Sequence, residues 1–168
     1  MARTKELLLL LFFSCLAIEG SVLAQTTQKL SLQQLVKEAD LIVKARVQDV
    51  STQETPDRSN LTTVVVLAVE QQWKGPNVST VIVRLPGGSA GEITQRVMGQ
   101  PEFSLGEEVI LFLKKQADGR YATVGAKQGK FTVTTDSQKG KKIVEDVTGM
   151  KQEQDDFIRH VRKILGDY

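Results

Sequence analysis

A mainly β fold, an antiparallel barrel or sandwich with a helix towards each end, is what this sequence predicts, on three observations. Runs of β-branched and aliphatic residues recur at short spacing, punctuated by Gly, Pro, Asn and Asp. The links between the runs are too short for the crossover helices that a parallel α/β sheet requires. Helical periodicity is confined to two stretches, one before the first run and one at the C-terminal end.

The elements follow in chain order. In "SLQQLVKEAD" Ser31 is placed to cap a short amphipathic helix whose Leu32, Leu35, Val36 and Ala39 share one face; Asp40 ends it. "LIVKARVQDV" (Leu41–Val50) alternates Val43, Ala45 and Val47 against Ile42, Lys44 and Arg46, a strand with one wetter face. Ser51–Asn60 is a polar loop containing Pro56, and Leu61–Trp73 is a β-branched strand stopped by Lys74-Gly75-Pro76-Asn77. "STVIVRLP" and "EEVILFLKK" (Glu107–Lys115) give two more strands, and Asp118-Gly119 marks a turn before "RYATVGA". "GKFTVTT" and "KKIVEDV" add the last short strands. Residues 155–165 form an amphipathic helix capped by Asp155 or Asp156. Phe157, Val161, Ile164 and Leu165 face the core, and Arg159, Arg162 and Lys163 face away.

The first 24 residues read as an export signal: Arg3 and Lys5, an apolar stretch around Leu7–Phe13, then Val22-Leu23-Ala24 at the cleavage site. Cleavage near Ala24 would release residues 25–168 as a single secreted or periplasmic domain, and no apolar run approaches the ~20 residues of a transmembrane helix. The only cysteine, Cys15, lies inside the signal. As a lipid-anchor site it is poorly served by Phe12-Phe13-Ser14; otherwise its loss leaves a chain without disulfides or thiolate chemistry. A domain of this length buries roughly 68–70% of its unfolded surface, enough for a core to hold it. A net charge of +2 leaves no electrostatic footprint for nucleic acid or an anionic membrane.

Gly87-Gly88-Ser89-Ala90-Gly91 spells G-x-S-x-G, which places a nucleophilic serine on a sharp strand-to-helix turn, and the lone histidine, His160, follows it. The preceding strand carries Arg84 and ends at Pro86, unlike a buried central strand. The segment that follows, "EITQRVMG", is too short and β-rich for the helix this chemistry needs. The expectation is therefore a glycine-turned loop, with a small serine hydrolase using Ser89 as the alternative. One histidine and a cysteine-free mature chain offer no zinc set, the acidic pairs lack calcium-loop spacing, and no metal or cofactor is expected. Phe112 and Phe131 alternate with aliphatic residues and read as core, whereas Trp73 stands at a strand end, as a barrel plug or as a glycan- or small-ligand platform.

"LVKEADLIVKARV", "VVVLAVEQQWKG", "VIVRLPGG", "GEEVILFLKK" and "GAKQGKFTV" together resemble a class of exported, uncharacterised bacterial proteins. These are similar in turn to the tissue-inhibitor-of-metalloproteinase and netrin-module barrels. The resemblance covers roughly Leu32 to Val133, and it implies an OB-like antiparallel β-barrel with a protein-binding role. The animal inhibitors act through an N-terminal cysteine, and the expected mature start, Gln25-Thr26-Thr27, has none, so that mechanism carries over to no residue here. The resulting expectation is a non-enzymatic binding module that uses the rim loops Gly87–Phe103 and Ser51–Asn60, with an exported protease among the candidate partners. The candidate binding residues are Trp73, Gly87, Gly88, Ser89, Gly91 and Phe103. The sequence leaves the oligomeric state open.

Overall fold

The computed structural model of the chain describes residues 29–55 and 59–166. The expected export signal, Cys15, the expected mature start at Gln25 and Pro56 lie outside the described residues. Helix α1 (Leu32–Glu38) begins at a full capping box: Ser31 accepts the Gln34 backbone N–H, and the Gln34 side chain accepts that of Ser31. There follow β1 (Leu41–Glu54), β2 (Leu61–Lys74), β3 (Thr80–Pro86), β4 (Gly88–Ala90), β5 (Ile93–Gln95), β6 (Glu108–Lys115) and β7 (Tyr121–Thr123). After a 3₁₀ turn at Ala126–Gly129 come β8 (Lys130–Thr135), β9 (Lys142–Glu145), β10 (Lys151–Glu153) and helix α2 (Gln154–Leu165).

Five strands close a ring in the order β1-β2-β3-β7-β6, with β6 returning onto β1. This is the mainly β, OB-like barrel that the sequence leads one to expect. Every pairing in the ring is antiparallel except β3–β7, a parallel contact at Val83 and Tyr121 alone. The strand β6 is the branch point. Its edge opposite β1 pairs with β7 over Leu113–Lys115 and with β8 over Glu108–Leu111, so β8-β9-β10 leave the barrel as a flanking flap.

That branching gives β1 and β6 two buried faces. Leu41, Val43, Ala45, Val47, Val109, Leu111 and Leu113 point into the barrel with Val65, Leu67, Val81 and Val83. The alternate residues Ile42, Ile110 and Phe112 point outwards into a second core, which α1, α2, β8 and β9 close. Phe112, Phe131 and Phe157 meet there with ring centroids 4.9–6.3 Å apart, and Phe157 is only 1% exposed.

Three expectations change. The face of β1 read as wet is covered: Lys44 is 9% exposed, its ammonium 3.1 Å from Glu70 and 3.5 Å from Glu108. The flap beside β6 shuts that face from water as far as Lys44, and the exposed Arg46 and the partly exposed Lys142 complete the ion cluster around Glu108. Burial pushes the Glu108 carboxyl upward, but hydrogen bonds from Lys142 and Arg46 and the charge of Lys44 outweigh it and hold the group at about 2. Secondly, α2 starts at Gln154, with Glu153 in the cap position and its carboxylate turned to Lys141 at 2.8 Å. Asp155 and Asp156 therefore lie in the first turn, where their charge suits the helix dipole. Thirdly, the expected loop Ser51–Asn60 opens as strand: pairing of Ser51–Glu54 with Leu61–Val64 extends β1 to fourteen residues.

Candidate functional site

The glycine-rich stretch folds as a hairpin. Gly88, Ser89 and Ala90 pair with Gln95, Thr94 and Ile93, and Gly91 takes the positive φ, 59°, that a two-residue hairpin turn needs at its first position. Gly87 and Gly88 are required by contact as well as by backbone. A Cβ on Gly87 would lie 2.5 Å from the Gln95 carbonyl oxygen, and one on Gly88 would lie 2.5 Å from Thr63 Oγ1. The hairpin is stapled to the start of β2. The Gly87 N–H donates to Leu61 O at 2.8 Å, Thr63 Oγ1 to Gly87 O at 2.8 Å, and the Leu61 N–H to Gln95 Oε1 at 2.7 Å.

Ser89 therefore stands exposed on a strand, its hydroxyl 3.0 Å from Thr94 Oγ1 across the hairpin. The turn after it leads into β5 rather than a helix, so the backbone of a strand-to-helix nucleophile turn is not built here. His160 is exposed on α2, which packs on α1, β9 and β10, whereas the hairpin packs on β1 and β2.

At the far end of the loop, Phe103 is half-buried against the barrel core. The Lys130 ammonium sits 4.8 Å from the centre of its ring and 2.6 Å from Glu107 Oε1, and it also bonds the Glu102 carbonyl. Thr132 Oγ1 donates to the same Glu107 oxygen at 2.9 Å. Midway, the Lys127 N–H holds Gly99 O at 3.0 Å. A segment fastened at three places still turns large apolar groups into solvent: Ile93 is 60% exposed, Met98 90% and Leu105 73%.

Gly87, Gly88, Ser89 and Phe103 line one cleft of about 370 Å³ together with Thr52, Thr63 and Gln95. Gly91 is at the hairpin tip, outside that lining. Trp73 is separate. It lies near the opposite end of β2 from Leu61, half-buried against the second core, and lines neither this cleft nor the larger groove beyond it. That groove, about 760 Å³, runs between Leu30 and Leu32 at the start of α1, Met98, and Val147 and Met150 of the β9–β10 turn, with Phe131 and Phe157 among its lining residues. Sequence reasoning missed it because its walls come from four separate segments. The only advance signal was exposed apolar character at Met98, Val147 and Met150 within otherwise polar stretches.

Among the described residues no cluster of His, Cys, Asp and Glu is placed to hold a metal ion, and no helix is long and apolar enough to cross a membrane. No protein-family model matches the chain, and no curated protein matches it in sequence.

Proposed function

We propose that the protein is an exported, non-enzymatic barrel that binds a protein or cell-surface partner through the rim segment running from Gly87 past Phe103 to Leu105. The observation that carries this reading is the combination of order and exposure in that segment. Ile93, Met98 and Leu105 stand in solvent on a backbone already fixed at both ends and in the middle. Large apolar groups exposed along one ordered segment favour an interface, and a pre-ordered loop loses little conformational entropy on binding. Met98 adds an adaptable side chain to such a contact.

The test is site-specific photo-crosslinking in the cells or fluid from which the protein is drawn. A cross-linker at position 93, 98 or 105 is expected to capture the same protein, and one at Arg162, on the solvent face of α2, to capture none of it. Identical capture from all four positions, or none from the loop, would overturn the reading.

A second reading is favoured by the apolar groove, whose size falls within the ~300–1,000 Å³ of small-ligand pockets. In it the barrel takes an apolar small molecule against Phe131 and Phe157. Trp73, the only tryptophan, packs on the same core, and its emission would report occupancy.

A further inference from the structure

The strands β3 and β7 touch at one residue pair, and past Val83 the seam between them is open. On β3 the residues Val81, Val83 and Leu85 point into the barrel, so Arg84 projects outwards beside the seam. Arg120, next to Tyr121 of β7, comes to the same place. Both arginines line a cleft of about 460 Å³ whose other walls are Gln53, Glu54, Thr55, Thr62 and the Leu85-Pro86 pair.

Arg84 stands out among the described cations. It makes no ion pair or hydrogen bond through its side chain among the described residues, and its Nε is shut off from solvent with no acceptor. Buried N–H donors are almost always paired, so this side chain is under-satisfied; the Nε is out of a ligand's reach, and the rest of the guanidinium, which lines the cleft, is what an acceptor would meet. Arg120 spends one Nη on Asp118 at 3.0 Å, in a pair about half exposed on both sides. Such a pair holds weakly and leaves the remaining N–H groups of Arg120 available.

We propose that the Arg84–Arg120 cleft is a carboxylate-binding site, built to seat an acidic side chain of a peptide. Two guanidinium groups offer the forked donors that a carboxylate accepts two at a time. With Asp118 paired to Arg120 and Glu54 on the same wall, the four charges about cancel, so a ligand is drawn by the forked donors of the two guanidinium groups rather than by net charge. The Thr62 hydroxyl and the Gln53 amide supply further donors. The cleft shares Leu85 and Pro86 with the loop cleft, so an acidic partner residue could be read beside the loop. The carboxylate site does not depend on the loop reading, and its test does not involve the loop.

The experiment follows the arginine Nε–H resonances of the full chain by NMR, with Arg84 assigned through Arg84→Lys. The probe is a glutamate blocked at both its amino and α-carboxyl groups, so that its side chain carries the only carboxylate. The blocked glutamine and inorganic phosphate are the comparison ligands. A saturable displacement of the Arg84 resonance by the blocked glutamate, absent with the glutamine, is expected. Arg84→Lys and Arg120→Gln, followed by backbone amides around the cleft, should each weaken binding about tenfold, the loss of one charge-assisted hydrogen bond. Three results would each overturn the proposal: no saturable displacement, an equal response to the glutamine, or saturation by phosphate at lower concentration.

Discussion

The two flanks of this barrel differ in what they do with apolar side chains. On the flank where β1 and β6 face outward, α1, α2 and the β8–β10 flap bury Ile42, Ile110 and Phe112. The aromatic trio packs ring against ring, and Lys44 lies under the flap with two carboxylates against it. On the flank that carries the β4–β5 hairpin, backbone is pinned with equal care, yet Ile93, Met98 and Leu105 are left in water. In the proposed reading, stability is concentrated in the first region and recognition in the second, so substitutions in one should leave the other's property intact.

The largest effect expected from breaking this division is at Phe157. Truncation to Ala removes a ring that touches both Phe112 and Phe131, and it should cost about 3–5 kcal/mol in denaturant unfolding. A loss below about 1 kcal/mol would mean that α2 is peripheral to the fold.

Next comes Glu108→Gln. Breaking a buried pair costs about 3–5 kcal/mol; here about 2–3 is expected, because Lys44 keeps Glu70 while Arg46 and Lys142 reach solvent. The same group gives a pH signature. Its folded value, about 2, lies below the ordinary 4.5, so its stabilisation is present above the ordinary value and drains away as pH falls towards 2. The stability advantage of the wild type over Glu108→Gln should therefore shrink across that window and hold steady above about pH 6. An advantage independent of pH would assign the effect to packing.

The contrast between flanks also explains what the sequence could and could not convey. Barrel strands were legible because Val43, Ala45 and Val47 alternate with Lys44 and Arg46, and because Val109–Leu113 is one unbroken apolar run between charged residues. The Ser31 cap was legible because its chemistry is local. The burial of Lys44 was not: alternation assigns a lysine to solvent, and only the later flap, paired to β6 through Ile110–Phe131, reverses that. Three-residue strands such as Gly88–Ala90 are too short to show a period, so a hairpin read as a loop. Of the six candidate residues, five come from the loop Gly87–Phe103 and Trp73 from a strand end. Four of them meet in one cleft, Gly91 takes the hairpin tip, and Trp73 goes to the far end of β2. The Arg84–Arg120 cleft was equally hidden, since a single parallel pairing joins their strands.

The smallest change in stability, and the most informative, belongs to the double variant Met98→Asp, Leu105→Asp. Both side chains are almost bare, so unfolding free energy should stay within about 0.5 kcal/mol of the wild type. Capture of the cross-linked partner through position 93 should be lost in the same protein. Unchanged stability with capture abolished is the predicted result; full capture by a folded double variant would contradict recognition through the loop.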